Sequence, residues 1–345
     1  MPDTNTEATL RQLLDANSYF ALNGKGTTNH CPMALCALAG MGATVQQLKT
    51  FFDQWKHRYA LAAPPLGRTI EAGNWRVCVG DASAFGACRA YFAGAIGNAG
   101  ADAVLIDVLS ELPFAPASQA FHAVIRLAYG LDAQHSGEIA AGLAALVCTN
   151  LPIETSDAEI APAASVREGL ASLAHAFGGV SFEGPSITAR LRAATCDSSL
   201  TGRFPPLPAG PQVLDDMARV AIAAYMQTND FTALHIVTGL HAVRRVLRRL
   251  PKAMAIERLP NVWAAVCASY LVIGAPALSW PETSVQLVPF DGDGHAPWRE
   301  LLALAVADSD DHVIKMVYTC WREHQRDPSP LYRLAAERLV RRECA

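Results

Sequence analysis

Residues 229–249 read NDFTALHIVTGLHAVRRVLRR. Apolar residues return in this stretch at the 3.6-residue interval of a helix, and Asn229 or Asp230 can cap its start. Arg244, Arg245, Arg248 and Arg249 alternate with apolar residues near its end, the pattern of a solvated helix face and not of a nucleic-acid patch. Outward from here the same period recurs almost without interruption, while period-two alternation is scarce. The spacing predicts helices over 7–16, 31–40, 43–61, 82–98, 102–111, 116–130, 135–148, 165–177, 186–194, 210–227, 229–249, 259–273, 295–308, 310–324 and 329–342. The expected fold is all-α, a single large helical domain of about 12–15 helices.

Composition agrees with a large buried core. Of 345 residues, 51% are hydrophobic and 17% charged, and no Ser/Gly-rich or Pro-rich linker divides the chain, so residues 1–345 are expected to form one domain with 1–6 as a flexible polar start. The formal net charge of -4 and the scattered basic residues speak against a nucleic-acid partner. Nine cysteines, an odd number without any C-x-x-C pair, imply free thiols in a reducing compartment, and Met1 to Glu7 lack the order of a secretory signal. A cytoplasmic protein is expected. Val262 to Trp280 is uncharged, but Ser269, Gly274 and Pro276 argue for a buried core helix ending near Gly274 instead of a membrane span. The loops 197–209 and 281–295, rich in proline and glycine, are candidates for a lid.

The familiar cofactor signatures are missing. No G-x-G-x-x-G or G-x-x-x-x-G-K-[ST] occurs, which disfavours an ordinary nicotinamide, flavin or nucleotide site. No histidine has a glutamate three residues before it, and H-E-x-x-H, H-x-D and H-x-E are absent, so neither a di-iron bundle nor a facial triad is signalled. What remains is a set of histidines in apolar helices. His30 stands just before Pro32 at a helix start, His122 follows Phe121 among apolar neighbours, His235 and His241 share one helix, and His312 opens another. A single histidine of this kind is more often a hydrogen-bonded core residue than a ligand; their number raises the case for a metal. His235 and His241 are six apart, about 120° around an ideal helix, so both face one metal only if the helix deforms at Gly239. His235 is ranked as ligand and His241 as a supporting or core residue, while His57 and His324, which lie among charged residues, are expected to face solvent. Lys315 shares a helix face with His312 between apolar neighbours, and a lysine there needs a partner such as Asp311, a route to solvent, or chemical alteration. Phe121, Tyr129, Tyr318 and Trp321 either line an aromatic pocket or pack the core.

Four of these segments, taken together and in order, resemble the questin oxidase-like family: Asn29-His30 with Pro32-Met33-Ala34-Leu35, Phe121 to Gly130, His235 to Gly239, and His312 to Lys315. The resemblance implies an all-helical oxidase of the kind known from fungal aromatic polyketide pathways, which opens or rearranges anthraquinone-type rings with dioxygen. It further implies a non-haem Fe(II) held between core helices by His30, His122, His235 and His312, with Lys315 as a carboxylated ligand. His241 competes with His312 for the fourth histidine position, and with Lys315 it is counted among the catalytic candidates. This chain is shorter than the fungal enzymes, so their substrate does not transfer. The expectation is an Fe(II)- and O2-dependent oxygenase acting on a hydroxylated aromatic or quinone. The alternatives are a metal-free monooxygenase drawing electrons from NADPH, which is also the candidate electron source for the iron enzyme, and a helical binding protein with structural histidines.

Overall fold

A computed structural model of the chain describes residues 4–18, 20–23, 28–62, 66–67, 69–71, 73–154, 161–279 and 297–341. The helices are α1 (Thr4–Asn17), α2 (Cys31–Gly40), α3 (Val45–Tyr59), α4 (Phe85–Ala99), α5 (Ala101–Glu111), α6 (His122–Asp132), α7 (Ser136–Cys148), α8 (Val166–Phe177) and α9 (Ile187–Cys196). They continue with α10 (Ser198–Thr201), α11 (Val213–Thr228), α12 (Phe231–Leu247), α13 (Lys252–Glu257), α14 (Leu259–Val272), α15 (Trp298–Ala307), α16 (Asp311–Arg326) and α17 (Pro330–Arg341). Two short strands, β1 (Phe20–Asn23) and β2 (Ala60–Ala62), pair antiparallel with Phe20 opposite Ala62. One hydrophobic cluster runs from Leu14 to Ala336, so the fold is all-α with a single core.

Every helix expected from the periodicity is present, and the differences have local causes. The helix expected over 43–61 stops at Tyr59 because Ala60 turns extended (ψ 131°) to enter β2. The one expected over 116–130 begins only at His122, because Gln119, Ala120 and Phe121 all take positive φ, at 52°, 54° and 67°. In α12 the cap is Asp230, whose carboxylate accepts from the N–H groups of Thr232 and Ala233, while Asn229 closes α11 with φ 50°.

Three expectations are corrected. The first helix starts at Thr4 and buries Thr6, so residues 4–6 are not a loose polar start. The loop 197–209 is no lid: it contains α10, buries Thr201, Phe204 and Pro205, and is tied down by Trp263, whose indole N–H donates 2.6 Å to the Pro205 carbonyl. The other lid candidate, 281–295, lies outside the described residues. Third, His324, which stands among charged neighbours, is buried, with Nδ1 3.0 Å from the Ser329 carbonyl. Residues 262–272 of the apolar stretch form the buried part of α14, and Gly274 at φ 86° follows its end; no described helix is long and apolar enough to cross a membrane.

The centre of the fold is where α6, α7, α12, α16 and α2 meet. Gly142 lets α7 lie against α6, since a Cβ there would come within 2.5 Å of the Leu127 backbone. Arg126 on α6 makes a buried two-pronged pair with Glu138 on α7, at 2.7 and 3.1 Å. Helix α12 packs on α6 and α16, and α16 packs on α2, so the four helices that carry or adjoin His30, His122, His235 and His312 share one contact region.

Candidate metal centre

Each of the four histidines comes from a different helix or helix start. His30 is the residue before α2, His122 is the first of α6, His235 lies one turn into α12, and His312 is in the first turn of α16. Their rings converge. His30 stacks on His122 at 4.5 Å between centroids, His122 meets His235 at 4.8 Å, His30 meets His312 at 4.8 Å, and His235 meets His312 at 5.6 Å. His30, His122 and His312 each offer a nitrogen within 4.8 Å of the others. His30, His122 and His235 are buried, and the His312 side chain is 23% exposed.

The hydrogen bonds fix which nitrogens carry protons. His122 Nδ1 lies 2.5 Å from the Gln119 carbonyl and His235 Nδ1 lies 2.7 Å from the Phe231 carbonyl. A carbonyl only accepts, so both Nδ1 atoms donate and both Nε2 atoms present lone pairs. Those two Nε2 atoms face each other at 3.3 Å. Burial, then neighbouring positive groups, hold both imidazoles well below their ordinary pKa, so no shared proton relieves the contact near neutral pH. His30 repeats the arrangement: Nδ1 is 2.6 Å from Asp311 Oδ1, and Nε2 is buried without a hydrogen-bond partner. Burial and the neighbouring Lys315 push His30 down to about 4, against the opposing pull of Asp311. Burial raises the Asp311 carboxyl, but Lys315 and His30 outweigh it and hold the group well below the usual carboxylate range. Asp311 is therefore an anion that only accepts, and His30 Nδ1 is the donor.

Lys315 is buried and lies 3.0 Å from Asp311 Oδ1, one turn along α16. The lysine thus has the acid partner anticipated among the choices for it. His241 stands apart from the four rings. Its Nδ1 is 2.6 Å from Glu323, and its ring meets Tyr318 at 6.3 Å, as the 120° offset from His235 requires. It therefore leaves His312 unrivalled as the fourth ring of the cluster.

Gly239 does not bend α12 towards a shared ligand set. A Cβ there would fall 2.4 Å from the Phe121 ring, so this glycine opens a slot for Phe121, which is fully buried. That slot anchors the left-handed turn 119–121, and the turn aims the Gln119 carbonyl at His122. Three consecutive non-glycine residues in this region are costly, roughly 1–2 kcal/mol each, and such outliers gather at functional sites. Phe121, Tyr129 and Tyr318 are core residues, and Trp321 is half-buried. Sequence inspection did not assign Asp311, Phe231 or the Gln119 carbonyl to the site. For Asp311 the available signal was its one-turn spacing from Lys315.

A family model described as questin oxidase-like matches residues 27–197 and 211–320. The chain belongs to the questin oxidase-like family. The matched segments contain all four converging histidines, Asp311 and Lys315. Membership in the questin oxidase-like family makes the chain an oxidoreductase of the oxidase type with a small-molecule substrate. No curated protein matches the chain.

Proposed function

We propose that this protein is an Fe(II)- and O2-dependent oxygenase acting on a hydroxylated aromatic or quinone-type small molecule, by ring cleavage or Baeyer–Villiger-like oxygen insertion. The observation that carries the proposal is the unsatisfied donor set. The Nε2 atoms of His122 and His235 meet at 3.3 Å with no proton between them, and His30 Nε2 is buried and unpartnered. Bare imidazole nitrogens directed into one buried space fit a borderline metal ion such as iron. His30, His122, His235 and His312 would hold it, with Lys315 as the carbamate-bearing ligand.

Ferrous iron, when bound, supplies the electron needed to activate dioxygen. The chain's own groups position and protect. The Gln119 and Phe231 carbonyls fix the tautomer and the aim of His122 and His235, and Asp311 does the same for His30. Burial keeps His122 and His235 neutral, so their lone pairs stay available well below neutral pH. For Lys315 to become a carbamate, its ammonium must leave Asp311 and give one proton to solvent, after which the neutral amine takes up CO2 and releases a second proton. The 3.0 Å Lys315–Asp311 pair favours a second reading of the same site, in which the lysine remains an ammonium and the histidines bind iron alone. NADPH is the proposed electron source where the overall reaction consumes two electrons. Cysteines of the described residues that stand outside disulfides, such as Cys31, Cys36, Cys267 and Cys320, support a reducing, cytoplasmic setting.

Elemental analysis of protein prepared without chelators tests the proposal. About one iron per chain is expected, because the donors number enough for one mononuclear site and the two carboxylates beside them are already engaged, Asp310 by His312 and Asp311 by His30 and Lys315. Two irons per chain, or zinc in a fully active enzyme, would sink it.

A further inference from the structure

We infer that Phe231 is the platform on which a planar aromatic ring is held over the histidine cluster, and that its side chain sets the preference for flat substrates. This rests on the site proposed above and adds to it the residue that meets the substrate. Among the described residues, the large apolar side chains left exposed are six aliphatic ones and Phe231, which is 50% exposed. Its ring stands edge-on to His235 at 4.6 Å and 76°, and to His312 at 4.7 Å and 62°. His235 is buried beneath it, and His312 is the most exposed of the four histidines. Phe231 and His312 together therefore form the solvent-facing edge of the cluster, and a molecule arriving from solvent meets them first.

The backbone that carries the ring is held firmly. Phe231 is the first residue of α12, preceded by the Asp230 cap, and its carbonyl accepts from His235 Nδ1 at 2.7 Å. The side chain and the carbonyl thus have separate jobs: the carbonyl aims a histidine, and the ring packs on two imidazoles, buried His235 and half-buried His312, with its remainder open to solvent. Phe231 meets both imidazoles in edge-to-face contact, and the half of its surface that stays exposed is aromatic area suited to offset or edge contact with another planar ring. An aliphatic ring of equal size meets the same surface with poorer contact. The surrounding donors add a polar end, so the expected ligand is flat, aromatic and hydroxylated.

The test compares 2-naphthol with its saturated counterpart, decahydro-2-naphthol, by equilibrium binding to the wild-type protein and to Phe231→Ala and Phe231→Trp. Iron content and melting temperature are measured on each preparation. Wild type is expected to prefer 2-naphthol, Phe231→Ala to bind it about tenfold more weakly with unchanged iron content, and Phe231→Trp to recover the preference. The inference is overturned if wild type does not favour the planar alcohol, or if Phe231→Ala binds it as wild type does. It is also overturned if Phe231→Ala folds but loses its iron, since the ring would then be a prop for the histidines. Protein without iron that still shows Phe231-dependent binding of 2-naphthol would defeat the iron proposal and leave the platform standing. Stoichiometric iron with no effect of Phe231 would do the reverse.

Discussion

Helices α12 and α16 carry two polar clusters, a few turns apart, and the two are built on opposite principles. At one end, His235 and His312 join His30 and His122 in a group where the bare Nε2 atoms of His122 and His235 meet at 3.3 Å and His30 Nε2 is buried without a partner. At the other end, His241 donates to Glu323, and Glu323 is also 3.3 Å from Arg244, which in turn pairs with Asp215 at 2.5 Å; Arg326 joins the same carboxylates. His241 Nε2 is bare too, but it stands alone within a compensated set of charges. One cluster has its charges satisfied by the protein itself, with His241 Nε2 and Arg244 Nε left over. The other is satisfied only by something that accepts several lone pairs at once, and that difference separates a structural polar core from a binding site.

The sharpest way to break this comparison is to remove ligands. His122→Ala and His235→Ala are each expected to abolish metal binding and turnover, with His57→Ala, an exposed residue of α3, unchanged in both. Iron retained at full stoichiometry with a normal rate in His122→Ala would place the metal elsewhere. Lys315→Arg comes next: it keeps the charge but forms no carbamate, so iron and activity should be lost, and added bicarbonate should help wild type regain activity after acid treatment and iron reloading. A fully active Lys315→Arg protein would leave the histidines to hold the metal alone.

The satisfied cluster should respond in stability instead. Glu323→Gln leaves Arg244 and His241 facing a neutral amide and is expected to cost about 3–5 kcal/mol in denaturant unfolding with iron content unchanged. Burial raises the Glu323 carboxyl, yet His241, through its hydrogen bond and charge, and then Arg244 bring it down to about 2 from an ordinary 4.5. Its contribution is therefore complete above about pH 4.5 and is lost as pH falls through about 2, so the acid limb of wild-type stability should be steeper than that of Glu323→Gln. If both proteins showed the same acid limb, the network would not be a stabilising one. The smallest effect joins the two regions through packing. Gly239→Ala drives a methyl into the Phe121 ring and is expected to cost roughly 1–3 kcal/mol, with weaker iron binding although no ligand has changed. Unaltered iron affinity would separate the turn at 119–121 from the aim of His122.

Helical periodicity makes the helices legible because most of them bury a continuous stripe, and the sequence alone places His30, His122, His235 and His312 in apolar segments. Their convergence came only from the packing of α2, α6, α12 and α16. His324 was misjudged from its charged neighbours, although it lies one turn after buried Cys320 and two turns after Val317, on the inward stripe. The prolines of 197–209 look like surface punctuation, yet long-range contacts with Trp263 bury the segment. Asp311 was visible as a partner for Lys315 but not as the partner of His30, which lies 281 residues away in sequence. The left-handed turn was not legible at all, since none of its residues is a glycine and only tertiary packing holds it there.

That turn also sets an order of assembly. Gln119, Ala120 and Phe121 have no local preference for the conformation they adopt, so an isolated segment does not dwell in it. Their return comes from Phe121 entering the slot at Gly239, and the slot exists only once α12 lies against α6. His122 therefore gains its final direction after the surrounding helices have docked. A metal bound at the proposed site would therefore enter a nearly finished fold instead of nucleating it, and a chain made without that metal would reach the same helical core, ready to be loaded.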